Sequence, residues 1–448
     1  MTFPSIEHHL EEQKAPFKEA LKALVRIPSV LDESSADLPF GPGIDNALRT
    51  TLQIADGLGF RTRYGAGGYY GYAEVGEGED LIGILGHLDV VPPGDLEAWH
   101  SDPFDPVEKE GKLYGRGVQD DKGPLLASLF AVKALLDAGV SFPKRVRIIL
   151  GTDEENRWRG IRAYLAQEET PALGFSPDSD FPLIYAEKGV LQFTLTARNE
   201  SGLHFQGGTA FNAVPDSILY DGPRRAELAA KLTELGFAHR VSAAGVRVLG
   251  RAAHAMSPEK GVNAIVRLCL GLHAIGLHSH VIDFVAQEIG EDPFAGRIVG
   301  DVRDEPTGRL KCNVGKIALG RDEVLSVDSR IPVTIPKERI VEKIRAAAER
   351  YGLAYKERGW LAPLYVPQDH PLIETLLQVY RDVTGDHKAV PLTSGGGTYA
   401  RAVPNCVAFG PNRPQTPVTE HRPNEHMALA DLHLAMEVYA HAIYALSR

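Results

Sequence analysis

Two apolar runs flank one helical stretch between residues 81 and 155, and that order leaves few folds open to this chain. LIGILGHLDVV (81–91) reads as a buried strand. GPLLASLFAVKALLDAG (123–139) places Leu125, Leu129, Val132 and Leu136 on one helical face. Pro124 suits the first turn of that helix and Gly139 its end. RVRIILGTDEE (145–155) is a second strand that runs into acids. The alternation predicts a doubly wound α/β layer built on a mixed sheet.

From about Val190 to Trp360 the texture changes. GVLQFTLTA alternates as a strand does. RRAELAAKLTELG, GVNAIVRLCLGLHAIG and KERIVEKIRAAAERYG are helices with glycine ends, and VRVLGRAAHA and EVLSVDSRIPVT are strands. After Pro363 the first texture returns. The expected organisation is an α/β domain over residues 1–189 and 363–448, with an α+β domain inserted over 190–362.

A chain of 448 residues is long enough for two domains. Its net charge of −11 argues against a nucleic-acid surface. Cys269, Cys312 and Cys406 are widely spaced and odd in number, which fits a reducing compartment rather than a disulfide framework. The opening MTFPSIEHHLEEQKAPF lacks the basic and apolar regions of a secretory signal. No apolar stretch approaches the ~18 residues of a membrane span. The expectation is a cytoplasmic protein that binds neither membranes nor nucleic acid.

The polar residues gather at the ends of these elements. His87 closes the first strand and Asp89 follows. GRGVQDDKG sets Asp120 and Asp121 before the helix. GTDEEN brings Asp153, Glu154 and Glu155 to the end of the next strand. SPDSDFP supplies Asp178, and TEHRPNEHM supplies His421, Glu425 and His426. Open α/β sheets bind ligands at the carboxyl ends of their strands, so these motifs point to one place. Each has a plainer alternative: Asp120 or Asp121 as an N-cap, the Glu pair as a solvated charge run, Asp178 as a turn residue. Gathered in one cleft, Asp120, Glu154, Glu155 and Asp178 would bring together negative charge that costs several kcal/mol per ion if unpaired. No Lys or Arg cluster is spaced to answer it. Two divalent cations would, and imidazole with carboxylate donors suits zinc, manganese or cobalt better than calcium or magnesium.

These motifs, in this order, resemble a di-metal peptidase family that includes aminoacylase, carboxypeptidase G, carnosinase and the bacterial dipeptidase V type. GRGVQDDKGP, SPDSDFPLIYAEKG and GGGTYARAVPNCVAFGP are most similar to the dipeptidase V (Xaa-His dipeptidase) branch. The resemblance implies that His87 and Asp178 hold one ion, Glu155 and His421 the other, and that Asp120 bridges them. It implies Glu154 as general acid/base and Asp89 as the residue that orients His87. It also implies a cis peptide at Asp120–Asp121 and a catalytic domain with an inserted lid.

In the lid, GRAAHAMSPEKGVNA resembles the family's histidine motif, so His254 is expected to reach the substrate carbonyl. Asn212 of FNAVPD is a second donor by the same likeness. Arg330 of VDSRIPV resembles the binder of the substrate carboxylate, with Gly396, Gly397 and Thr398 of TSGGGTYAR as backbone donors. His426 rivals His421 as a ligand; the family's spacing favours His421. NRWRG after Glu155 departs from the pattern in being bulky and basic. The expected function is a di-metal dipeptidase acting on small unblocked dipeptides with metal-activated water, with an N-acyl amino acid deacylase as the alternative and a metal-free binding protein as the contrasting class. Zinc is the expected ion. A monomer is expected, with a homodimer as the alternative.

Overall fold

The structure, a computed structural model, describes residues 5–448. The chain divides into two compact units. One comprises Met1–Tyr185, Val366–Leu392 and Thr398–Arg448, and the other Ala186–Tyr365 with Thr393–Gly397.

The first unit is built on a mixed sheet, as its alternating texture predicts. Tyr70–Val75, Arg145–Gly151, Leu81–His87, Leu173–Ser176 and Cys406–Ala408 lie side by side in that order, with Arg61–Gly65 outside Tyr70–Val75. Leu81–His87 runs parallel to both of its neighbours, and His87 pairs with Gly151. Cys406–Ala408 is parallel to Leu173–Ser176, while the two outer strands pair antiparallel. All seven residues of Leu81–His87 are buried, as befits a parallel strand covered on both faces. The chain passes from this strand to one neighbour and then to the other, so the strand order reverses at Leu81–His87. Such a switch point opens a crevice at the carboxyl end of the strand, which is where His87 stands.

The helix after the GRGVQDDKG motif spans Lys122–Asp137 and is buried on every side through Val132. The single apolar face expected from Leu125, Leu129, Val132 and Leu136 is therefore too narrow a description. Helices Glu7–Val25 and Leu429–Leu446 both pack against it, so Leu126 and Phe130 are buried like Leu129, and exposure returns only at Lys133, Leu136 and Asp137. Among the described residues no helix is long and apolar enough to cross a membrane.

The second unit is α+β with antiparallel strands. Its sheet runs Phe205–Gly207, Lys311–Leu319, Asp322–Ile331, Gly189–Arg198 and Ala354–Leu361. Leu191, Phe193, Leu325 and Val327 belong to one apolar core with Leu268 and Leu272 of helix Ala264–Ala274 and Ile340 and Ile344 of helix Lys337–Glu349. VRVLGRAAHA, read as one strand, is two: Gly245–Leu249 and Ala253–His254. The break falls at Gly250, where a Cβ would lie 2.1 Å from the Val262 carbonyl oxygen. Cys269, Cys312 and Cys406 are all buried.

Candidate metal centre

Three of the polar motifs follow parallel strands directly. His87 ends its strand, Asp153–Glu155 follow the strand ending at Gly151, and Asp178 follows the strand ending at Ser176. His421 differs from expectation: it lies in a loop between Pro411–Asn412 and His426–Ala428, with φ of 63°. Two groups of side chains converge here. His87, Asp120 and Asp178 form one and Asp120, Glu155 and His421 the other, with the donor atoms of each group within 4.8 Å of one another.

Asp120 belongs to both groups and turns one oxygen to each. Its Oδ1 lies 2.9 Å from His87 Nε2 and its Oδ2 lies 2.9 Å from His421 Nε2. Asp178 Oδ2 stands 3.6 Å from His87 Nε2, and Glu155 Oε1 stands 2.9 Å from His421 Nε2. The Asp120–Asp121 peptide is cis.

The His87 ring tests whether the cluster suits a cation. Its Nδ1 lies 2.9 Å from the Asp89 carbonyl oxygen, which only accepts, so the ring donates there. In the neutral ring, Nε2 is then a lone pair aimed at carboxylates, and it is buried with no directed hydrogen bond. A lone pair facing two anions is unfavourable unless a cation lies between them, whether a metal ion or a proton. Without a metal, protons must fill the cluster. Burial pushes the His421 pKa down, but Asp120 and Glu155 reverse this and hold it at about 11. Burial and the Asp120 charge push Glu155 up to about 7 and Asp178 to about 6. Burial also holds the Glu154 carboxyl well above the usual carboxylate range; Asp178, Glu155 and Asp120 add to this and His87 opposes it. Two imidazoles among these carboxylates form a donor set that fits borderline divalent ions.

Asp89 holds the site in a way its position alone did not reveal. Its backbone carbonyl, rather than its carboxylate, takes the His87 Nδ1–H; the nearer carboxylate oxygen is 3.6 Å away. The carboxylate instead accepts the backbone N–H groups of Glu154 and Glu155, each at 3.1 Å. Asp121 occupies the N-cap position of the long helix but makes no capping bond. Its Oδ2 accepts the His87 backbone N–H at 3.0 Å. Gly86 permits that approach, because a Cβ there would lie 2.5 Å from Asp121 Oδ2.

Sequence reasoning missed Glu425 as a structural residue. It is fully buried. Its Oε1 accepts from the N–H groups of Gly117, Gln119 and Asp120 at 2.9, 3.0 and 3.3 Å, and its Oε2 from Arg116 Nη1 at 2.5 Å. One carboxylate thus shapes the loop that presents Asp120. Its rival neighbour His426 stacks on Tyr114, with ring centroids 4.6 Å apart, and stands outside both ligand groups. The bulky NRWRG turn is also structural. Arg159 clamps the buried Asp153 through Nε at 2.8 Å and Nη2 at 2.9 Å, and Trp158 packs edge-on against Tyr399.

The remaining candidates lie in the second unit, except Thr398. Asn212 and His254 come together there: the Asn212 carbonyl accepts from Ala255 N at 2.8 Å, and Ala213 pairs with His254. Met256 N donates to His254 Nδ1 at 3.2 Å, which leaves the neutral ring's proton on Nε2. Arg330 is 4% exposed and is already forked onto Asp328, through Nε at 2.6 Å and Nη2 at 3.2 Å, while Nη1 donates to the Gly395 carbonyl at 2.7 Å. The Arg330–Asp328 pair is thus a buried salt bridge. Gly396 N donates to Ser394 Oγ at 2.9 Å, and Gly397 is the exposed end of the segment counted with this unit. Thr398 Oγ1 accepts from Ala400 N in the first unit.

The fold and this centre define an α/β protein with a carboxylate–imidazole cluster at its switch point. The chain belongs to the peptidase family M20/M25/M40, whose model matches residues 83–445, and is a peptide hydrolase of that family. It is 37% identical over 451 residues to "Putative dipeptidase YtjP" of Bacillus subtilis, covering 95% of this chain and 96% of that one. Among solved structures it is similar to the M20 family metallo-carboxypeptidase Sso-CP2 of Sulfolobus solfataricus, with a TM-score of 0.62, 17% identity and coverage of 96% and 99% of the two chains. Human carnosine dipeptidase 1 gives a TM-score of 0.61 at 15% identity, with 99% of each chain covered. At these identities the structural likenesses concern the fold.

Proposed function

We propose that the chain is a di-metal dipeptidase acting on small unblocked dipeptides. The observation that carries the reading is Asp120, with one oxygen turned to His87 and the other to His421. In this reading His87 and Asp178 hold one ion, Glu155 and His421 the other, and Asp120 is shared. Zinc is the ion of choice for the donor set, with manganese or cobalt as substitutes. Two such ions would lower the pKa of a bound water and polarise the scissile carbonyl.

Glu154 takes the proton from the attacking water and returns it to the leaving amine. Burial raises its pKa, the direction that favours a carboxyl able to hold the proton it has accepted. Asp89 fixes the root of that side chain through the Glu154 N–H. His254 donates from Nε2 to the carbonyl oxygen, a role its Nδ1 contact with Met256 supports. Asn212 assists it. Arg330, Gly396, Gly397 and Thr398 bind the substrate carboxylate. The Asp328 pairing keeps the Arg330 side chain preorganised and leaves part of its guanidinium edge for that purpose.

The dipeptide substrate is supported by the name of the Bacillus subtilis relative and its near full-length match. The likeness to the long-lid dipeptidase V branch favours a monomer, and the few, widely spaced cysteines favour the cytoplasm. The test is a panel of Ala-Ala-type dipeptides, carnosine and N-acetyl amino acids, run on chelated and metal-restored protein. Dipeptide turnover is expected to vanish with chelation and return with zinc, manganese or cobalt. Preferential turnover of N-acetyl amino acids would overturn the substrate assignment. Glu154→Gln should lower kcat by at least about 10²-fold; retained turnover would remove Glu154 from the proton transfer.

A further inference from the structure

The second unit carries another convergence of metal-ligating atoms. HAIGLHSHVID (273–283) leaves helix Ala264–Ala274 at its last turn and enters helix His280–Phe284. His273 Nδ1 and His278 Nδ1 both lie 2.8 Å from the same oxygen, Asp283 Oδ1. Their rings are nearly perpendicular, at 86°, with centroids 5.0 Å apart. The three donor atoms all lie within 4.8 Å of one another.

Zinc bonds of about 2.0–2.2 Å at tetrahedral angles set ligand atoms about 3.3–3.5 Å apart. Each histidine would have to withdraw from Asp283 by only about half an ångström to admit an ion. The side chain of His278 is 55% exposed, so an ion can enter and a water can complete the coordination. The surroundings favour a cation. A recess lined by His278 and Asp283 is also lined by Glu200 and Glu323. Glu323 is fully buried, and its Oε1 has no hydrogen-bond partner. The cation lining the recess, Arg350, is engaged with Glu288 at 2.7 Å.

We propose that His273, His278 and Asp283 form a separate binding site for a borderline divalent ion, zinc first, which pins the end of helix Ala264–Ala274 to helix His280–Phe284. Nothing in it depends on the reading of the first unit. The ion would add stability to the second unit because it binds only where the three ligands are folded together.

The test is zinc per chain, measured by equilibrium dialysis and elemental analysis on chelator-stripped protein, for the wild type, His278→Gln and His273→Gln/His278→Gln. The double variant is expected to hold one zinc fewer per chain than the wild type, and the single variant to bind that zinc at least tenfold more weakly. Both should keep the wild-type circular dichroism and dipeptide turnover. The rise in Tm of the second unit on adding zinc should disappear in the double variant. Equal zinc content in wild type and folded double variant, or an unchanged zinc-dependent rise in Tm, overturns the site. A failed dipeptidase assay does not touch the difference in zinc count, so the two proposals fail separately.

Discussion

Asp89→Asn isolates the contribution of one carboxylate to the turn that carries Glu154 and Glu155. In the wild type each oxygen accepts one backbone N–H at 3.1 Å. Asparagine keeps one acceptor and sets an amide NH2 against the other N–H. One hydrogen bond to a charged group is lost, at about 1.5–3 kcal/mol, and a donor is left unsatisfied, at about 1–3 kcal/mol. The sum is about 2.5–6 kcal/mol against the local closed state. At 1.4 kcal/mol per factor of ten, amide exchange at residues 154 and 155 should accelerate by about 10²–10⁴-fold. The contact from His87 Nδ1 goes to the residue-89 carbonyl and survives the change. The variant therefore keeps the ring oriented while the glutamate turn loosens, and kcat falls with little change in the fold. Hydrogen exchange followed by mass spectrometry on a peptide spanning 151–158 reads the effect. Unchanged protection there, together with lost activity, would mean that Asp89 acts on the His87 ring after all.

Two further outcomes follow from buried cations. Lys122 is fully buried, and its Nζ donates to the Leu24 and Ile27 carbonyls at 3.1 and 2.8 Å. Lys122→Met should cost about 1–3 kcal/mol and expose the chain after residue 25 to limited proteolysis; a wild-type cleavage pattern would refute this. Burial pushes the Lys188 pKa from 10.5 down to about 8, so between these values the folded chain has released a proton that the unfolded chain retains. Stability of the second unit should therefore rise with pH through that window, and the slope should flatten in Lys188→Met; urea midpoints at pH 7.5, 9 and 10.5 check the sign.

Much of this molecule was legible along the chain because burial and hydrogen bonding leave periodic marks. Largely apolar runs mark the covered strands Leu81–His87 and Arg145–Gly151, and chemistry-bearing side chains follow them where the parallel strands end. The motifs, through the family they resemble, pointed at His87, Asp120, Glu155, Asp178 and His421, and the fold brings these together. What the side chains around them do was not legible, because a partner is chosen by proximity in space. Asp89 meets Glu154 and Glu155 across 65 and 66 residues, and Glu425 meets Gln119 across 306. Helix Lys122–Asp137 reads as one-faced, yet two other helices cover it. Nothing along the chain announces that Arg330 is forked onto Asp328 two residues before it. Periodicity therefore determined the layers, and the motifs, read with the family resemblance, pointed to residues that converge in the fold. Only the tertiary structure decided which carboxylate faces the cluster and which stands behind it, because that depends on which backbone N–H groups burial leaves in need of an acceptor.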